Sequence, residues 1–176
     1  HFIDDHWYIY ATAHNLAAGK RHCYVWKATT DNPQDTFTLV GPIITRVSGV
    51  EYENGDLTVF KSEKDGKLYM ITNVIGKGEC IAPMDSPTSV HAEFIPLPAL
   101  YGEGPRLIQR NGRIFCTNAG GFWRYCNYHI TMAECASGNV LDPNAWKYQG
   151  EVFSPNGEWT DTRRGHFFNK DGNWKG

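Results

Sequence analysis

The chain has 176 residues, enough for one domain with a real core, and 41% of them are apolar with no run of 18 that would span a bilayer. Seventeen basic and nineteen acidic residues give a formal charge of −2, spread without a block of five like charges, so neither a nucleic-acid groove nor an acidic tail organises the molecule. Nine Phe, nine Tyr and six Trp, with 18 Gly and 9 Pro, suit short strands and many turns, and the expectation is an all-β fold.

In chain order, four short apolar runs each reach a tight turn and re-emerge as a second, aromatic-rich run. The first is His1-Phe2-Ile3, turning at Asp4-Asp5 into Trp7-Tyr8-Ile9-Tyr10. The second is Leu57-Thr58-Val59-Phe60, turning at Asp65-Gly66 into Leu68-Tyr69-Met70-Ile71. The third is Arg106-Leu107-Ile108, turning at Asn111-Gly112 into Ile114-Phe115-Cys116, and the fourth is His166-Phe167-Phe168, turning at Asp171-Gly172 into Trp174. Asp-Gly and Asn-Gly supply the positive φ angles of hairpin turns, so each copy predicts a β-hairpin. The first three are followed by a further strand pair. These are Cys23-Tyr24-Val25-Trp26 with Phe37 to Gly41, Glu79-Cys80-Ile81-Ala82 with Phe94 to Leu97, and Tyr128 to Met132 with Trp146 to Gly150. Tyr128, Ile130 and Met132 alternate with period two, which argues against a helix there.

Four antiparallel strands repeated every 46 to 60 residues predict a β-propeller. Blade I spans 1–41, blade II 56–97 and blade III 103–150, and a fourth begins over 165–176. Trp7, Tyr8, Tyr69, Phe115 and Trp146 recur at equivalent positions and are expected in the blade cores. Five cysteines are sparse, odd in number and never spaced C-x-x-C, which favours buried small apolar residues over disulfides or zinc. Cys126 makes a poor nucleophile, because alternation puts it on the opposite face from His129. The amino-terminal residues read as a strand and are silent on export.

The first strand of each propeller blade lines the central channel, so polar residues at those strand starts converge. They are Asp56 after Gly55, Glu103 between Gly102 and Gly104, and His166 after Gly165. Carboxylates facing one another across a channel suit glycosidic hydrolysis, which needs a protonated acid for the leaving oxygen and a base for water. Phe122-Trp123, after Gly120-Gly121, could stack on a sugar face or pack against a neighbouring blade.

With these stretches in order and at fitting spacing (Asp56-Leu-Thr-Val-Phe-Lys-Ser-Glu-Lys-Asp-Gly, Glu103-Gly-Pro-Arg-Leu, Asn127-Tyr-His-Ile-Thr-Met-Ala, Asp142-Pro-Asn-Ala-Trp and Gly165-His-Phe-Phe-Asn-Lys-Asp-Gly), the chain resembles glycoside hydrolase family 43. These are five-bladed propellers acting on arabinose-, xylose- and galactose-containing glycans. The resemblance implies that Glu103 is the general acid and that Asp56 tunes the acid's pKa and positions it. It implies that His166 lies near the axis, touching substrate in some members and a calcium ion, often through water, in others. No other cofactor is implied, and the expected partner is an oligosaccharide or glycoside. The family inverts configuration with an Asp base placed just before the segment that begins here at His1. On this reading the base lies outside the chain, Asp4 and Asp5 belong to a turn, and the 176 residues alone would be inactive.

Other propellers fit less well. Fructan-cleaving retaining enzymes carry Arg-Asp-Pro and an acid Glu-Cys pair, where this chain has Asp56-Leu57 and Glu103-Gly104; Glu79-Cys80 and Glu134-Cys135 fall in third strands. The sialidase turn box is unmatched by Ser62-Glu-Lys-Asp65-Gly66. A glycan-binding propeller without catalysis is the alternative from a different functional class.

Overall fold

The computed structural model describes residues 1–15, 19–121 and 128–153, together with the backbone of three short strands between 159 and 175. Blade I is an antiparallel meander of β1 (Phe2–Ile3), β2 (His6–Asn15), β3 (Lys20–Ala28) and β4 (Phe37–Ile43). Asp4 and Asp5 turn β1 into β2 with φ of 48° and 60°, the paired left-handed positions of a two-residue hairpin. A small hairpin not read from the sequence follows, β5 (Thr45–Val47) and β6 (Val50–Tyr52). Ser48-Gly49 is its turn, and the amide of Phe94 donates to the Arg46 carbonyl at 2.8 Å, fastening it to the next blade.

Blade II consists of β7 (Asn54–Lys61), β8 (Leu68–Val74) and β9 (Gly78–Ser86), plus a divided outer edge. The expected outer strand over Phe94 to Leu97 is only β11 (Ile95–Pro96), and β10 (Ser89–Val90) pairs separately with β9. Pro96 and Pro98 have no amide proton to donate, and past Pro96 the Leu97 amide still donates to the Glu79 carbonyl at 2.8 Å. Blade III is β12 (Glu103–Arg110), β13 (Arg113–Gly120), β14 (His129–Cys135) and β15 (Trp146–Phe153) in that order. Beyond it, β16 (Trp159–Asp161), β17 (Phe167–Asn169) and β18 (Trp174–Lys175) form a three-stranded sheet, so a strand precedes the expected fourth hairpin. Among the described residues there is no α-helix, and no helix is long and apolar enough to cross a membrane.

Blade II shows why its strands read as continuous apolar runs. Successive side chains point to opposite faces, and both faces are covered. Val59, Met70, Cys80 and Ala82 pack with Tyr8, Cys23, Val25 and Ile43 of blade I. Their sequence neighbours Phe60, Tyr69, Ile71 and Ile81 pack the other way, with Ile114, Cys116, Ala133 and Trp146 of blade III. On the face of blade I turned away from blade II, Ile9 and Leu39 remain about half exposed.

The recurring aromatics divide accordingly. Tyr8, Tyr69 and Trp146 are buried, but Trp7 and Phe115 are only half-buried, contrary to expectation. They lie one residue out of phase with the inward positions Tyr8, Ile114 and Cys116. The Trp7 indole therefore donates to the Asp31 carbonyl at 2.9 Å, and the Arg113 guanidinium lies 4.9 Å from the centre of the Phe115 ring. Cys23, Cys80, Cys116 and Cys135 are buried free thiols, and burial pushes Cys23 and Cys80 up to about 12. Cys126 lies outside the described residues.

Candidate active site

Asp56 and Glu103 stand at the starts of β7 and β12, the adjacent first strands of blades II and III. Each start is bulged. Asn54 pairs with Val74 and Leu57 with Thr72, so Gly55 and Asp56 together face the single residue Asn73. Glu103 pairs with Ala119 and Arg106 with Thr117, so Gly104 and Pro105 together face the single residue Asn118. An extra residue in one strand re-aims the side chains beside it, a device found often at active sites.

The blades hold each other's bulges. From β2, the Thr12 hydroxyl donates to the carbonyl of Gly55, the residue before Asp56. From β8, Asn73 Nδ2 donates at 3.2 Å to the carbonyl of Gly102, the residue before Glu103. Thr72, next to Asn73, donates at 3.1 Å to the Asp56 carbonyl itself. Two consecutive residues of β8 thus fix the backbone at both carboxylates.

Glu103 needs its glycines. Gly102 has φ of 120° and Gly104 has φ of 62°, and a Cβ on Gly102 would stand 2.2 Å from the Ala119 carbonyl oxygen. The result is a carboxylate exposed to solvent and to any ligand above it, while Asp56 is half-buried. The hydroxyl of buried Tyr128 donates to Glu103 Oε1. The neighbouring carbonyl of Tyr101 accepts from Thr131 at 2.7 Å, tying the approach to β12 down to β14.

A third carboxylate, unremarked in the sequence as a site residue, lies beside these two. Glu79 is 1% exposed, is the cross-strand neighbour of Asn73, and is pushed up to about 8. Burial is the main cause, the Asn73 and Asn118 amides oppose it, and the negative charges of Asp56 and Glu103 add to it. The amides face the carboxyl, yet neither of its oxygens reaches hydrogen-bonding geometry with a partner. The available signal was an acid opening the otherwise apolar stretch Glu79-Cys80-Ile81-Ala82.

His166, Phe122 and Trp123, expected to touch substrate, lie outside the described residues, as does the calcium contact expected of His166. Among the described residues, no group of three or more His, Cys, Asp or Glu is placed to hold a metal ion.

Residues 1–175 match the sequence profile of Glycosyl hydrolases family 43. The chain belongs to that family. Its similarity to family-43 proteins extends to Alpha-L-arabinofuranosidase 43 of Humicola insolens, 27% identical over 187 residues, covering 94% of this chain and 37% of that protein. The crystal structure of alpha-L-arabinofuranosidase from Lactobacillus brevis superposes with a TM-score of 0.74 at 24% identity, covering 98% of this chain and 61% of that one. Cellvibrio cellulosa alpha-L-arabinanase, solved with arabinohexaose, gives 0.73 at 15% identity, covering 99% of this chain and 69% of that one. The fold is therefore that of the family-43 propellers, and this chain spans less than two thirds of the length of the two arabinofuranosidases.

Proposed function

We propose that the protein hydrolyses glycosidic bonds in arabinose-, xylose- or galactose-containing glycans with inversion, using Glu103 as general acid and Asp56 as the carboxylate that positions it and tunes its proton affinity. The observation that supports this most is the pair of matching bulges, which set one acidic residue each at the starts of adjacent first strands in a family-43 chain. Protonated Glu103 gives its proton to the glycosidic oxygen as the bond from the anomeric carbon breaks. A water attacks that carbon from the opposite face and yields its proton to a third carboxylate. Asp4 and Asp5 occupy the β1–β2 turn and take no part in this reading.

The test is Glu103→Gln, assayed on an arabino-oligosaccharide and on a nitrophenyl arabinofuranoside. Loss of a general acid costs about 10²–10⁴ in kcat where the leaving group needs protonation. The nitrophenyl substrate, whose leaving group needs none, should lose much less. Equal losses on both substrates would sink the assignment.

A further inference from the structure

Asn73 and Asn118 occupy equivalent places in successive blades, each the single residue facing a bulge on its blade's first strand. Glu79 stands between them in the seam of blades II and III, almost wholly buried and with no hydrogen-bond partner for either oxygen. Asn73 is committed to the Gly102 carbonyl. The Cys116 thiol donates to Asn118 Oδ1 at 3.4 Å, which leaves Asn118 Nδ2 as a further buried polar atom without a partner. Among the described residues, the titratable groups facing Glu79 are Asp56 from β7, Glu103 from β12 and Cys116 from β13, while its strand neighbour Cys80 points to the opposite face of blade II. The cations Lys77 and Arg106 act on Cys80 and Cys116, whereas the charges acting most on Glu79, Asp56 and Glu103, are both negative and compensate nothing there, and an ionised carboxylate without compensation is costly in a dry interior.

We infer that Glu79 is a positioning residue of the candidate site, a neutral carboxylic acid wedged between Asn73 and Asn118 that keeps the Glu103 bulge seated against blade II and keeps a third negative charge out of the seam. The inference rests on the reading of Glu103 and Asp56 as the reacting pair. Ionisation of Glu79 places a charge beneath both carboxylates and draws the Asn73 amide, which favours the charged form, away from the Gly102 carbonyl it holds, so catalysis falls as the pH rises through its titration. A gap-filling role alone would not produce that dependence.

The test is carbon-13 NMR of labelled glutamate and aspartate carboxyls, with kinetics, in the wild type and in Glu79→Gln, whose amide mimics the neutral acid. One glutamate should titrate near pH 8 and vanish in the variant. The Glu103 and Asp56 signals should each show an inflection at that same pH in the wild type and lose it in the variant. With an arabino-oligosaccharide, whose leaving group needs the acid, E79Q should keep kcat within about threefold at mildly acid pH and hold it to higher pH than the wild type. The inference is overturned if every glutamate titrates in the ordinary carboxylic range, or if the Glu103 inflection survives in E79Q. The wild-type titration alone decides this should E79Q not fold. Inflections accompanied by equal losses in Glu103→Gln on the two substrates would support the placement of Glu79 and count instead against the reading of Glu103 as general acid.

Discussion

Asn73 donates its side-chain amide to the backbone carbonyl of Gly102 at 3.2 Å, so a residue of blade II holds the turn on which blade III carries Glu103. The same side chain lies under Gly55, where a Cβ would meet Asn73 Cβ and Oδ1 at 3.5 Å. One amide therefore touches the entry to both candidate carboxylates, and its removal should be felt in catalysis more than in binding. Asn73→Ala leaves the Gly102 carbonyl without this donor and should cost about 1–3 kcal/mol of stability. In kinetics it should lower kcat with little change in KM, measured on the same substrate series, with urea unfolding to separate the two effects. A rise in KM alone would place Asn73 in substrate binding.

The glycines before the two carboxylates should respond differently to the same change. Gly102→Ala puts a methyl group into the Ala119 carbonyl at a backbone φ of 120°, and backbone cannot move aside as a flexible side chain can. A loss of at least about 2 kcal/mol is expected. Gly55→Ala meets only ordinary contacts at 3.5 Å and above and should stay within about 1 kcal/mol of the wild type. Thermal melts of the two variants side by side check the contrast.

Tyr128→Phe removes the hydroxyl that donates to Glu103 Oε1 while keeping the buried ring. The carboxyl then loses its orientation, and kcat on an oligosaccharide should fall roughly tenfold, about 1.4 kcal/mol of transition-state stabilisation. The fold should be intact by circular dichroism. An unchanged kcat would show that Glu103 is aimed by its glycines alone.

Glu79 makes stability depend on pH in a defined direction. Its folded-state value, about 8, lies above the ordinary 4.5, so the native state holds a proton that the unfolded chain releases. That contribution is fully present below about pH 4.5 and is lost as the pH rises to about 8. Glu79→Gln should therefore match the wild type in acid and exceed it at pH 8, by on the order of a few kcal/mol. Urea midpoints across that range measure it, and parallel curves for the two proteins would show that Glu79 is charged when folded.

The sequence by itself determined the blades, because strand alternation and turn chemistry are local. Asp4-Asp5 and Asn111-Gly112 adopt the left-handed turns their residue types favour, and Leu68 to Ile71 reads as a strand from four consecutive residues. It also singled out Asp56 and Glu103, since an acid beside glycine at a strand start is visible in the letters. The split edge of blade II and the Ser48-Gly49 hairpin were missed, because each breaks the repeat that made the other elements legible. Only the tertiary structure decided the seam between blades II and III. Glu79, Asn73 and Asn118 come from three different strands, and nothing in the spacing of 73, 79 and 118 says that they meet. Whether Glu79 carries a charge depends on how much water and how many like charges surround it, and those are properties of packed blades that no stretch of sequence contains.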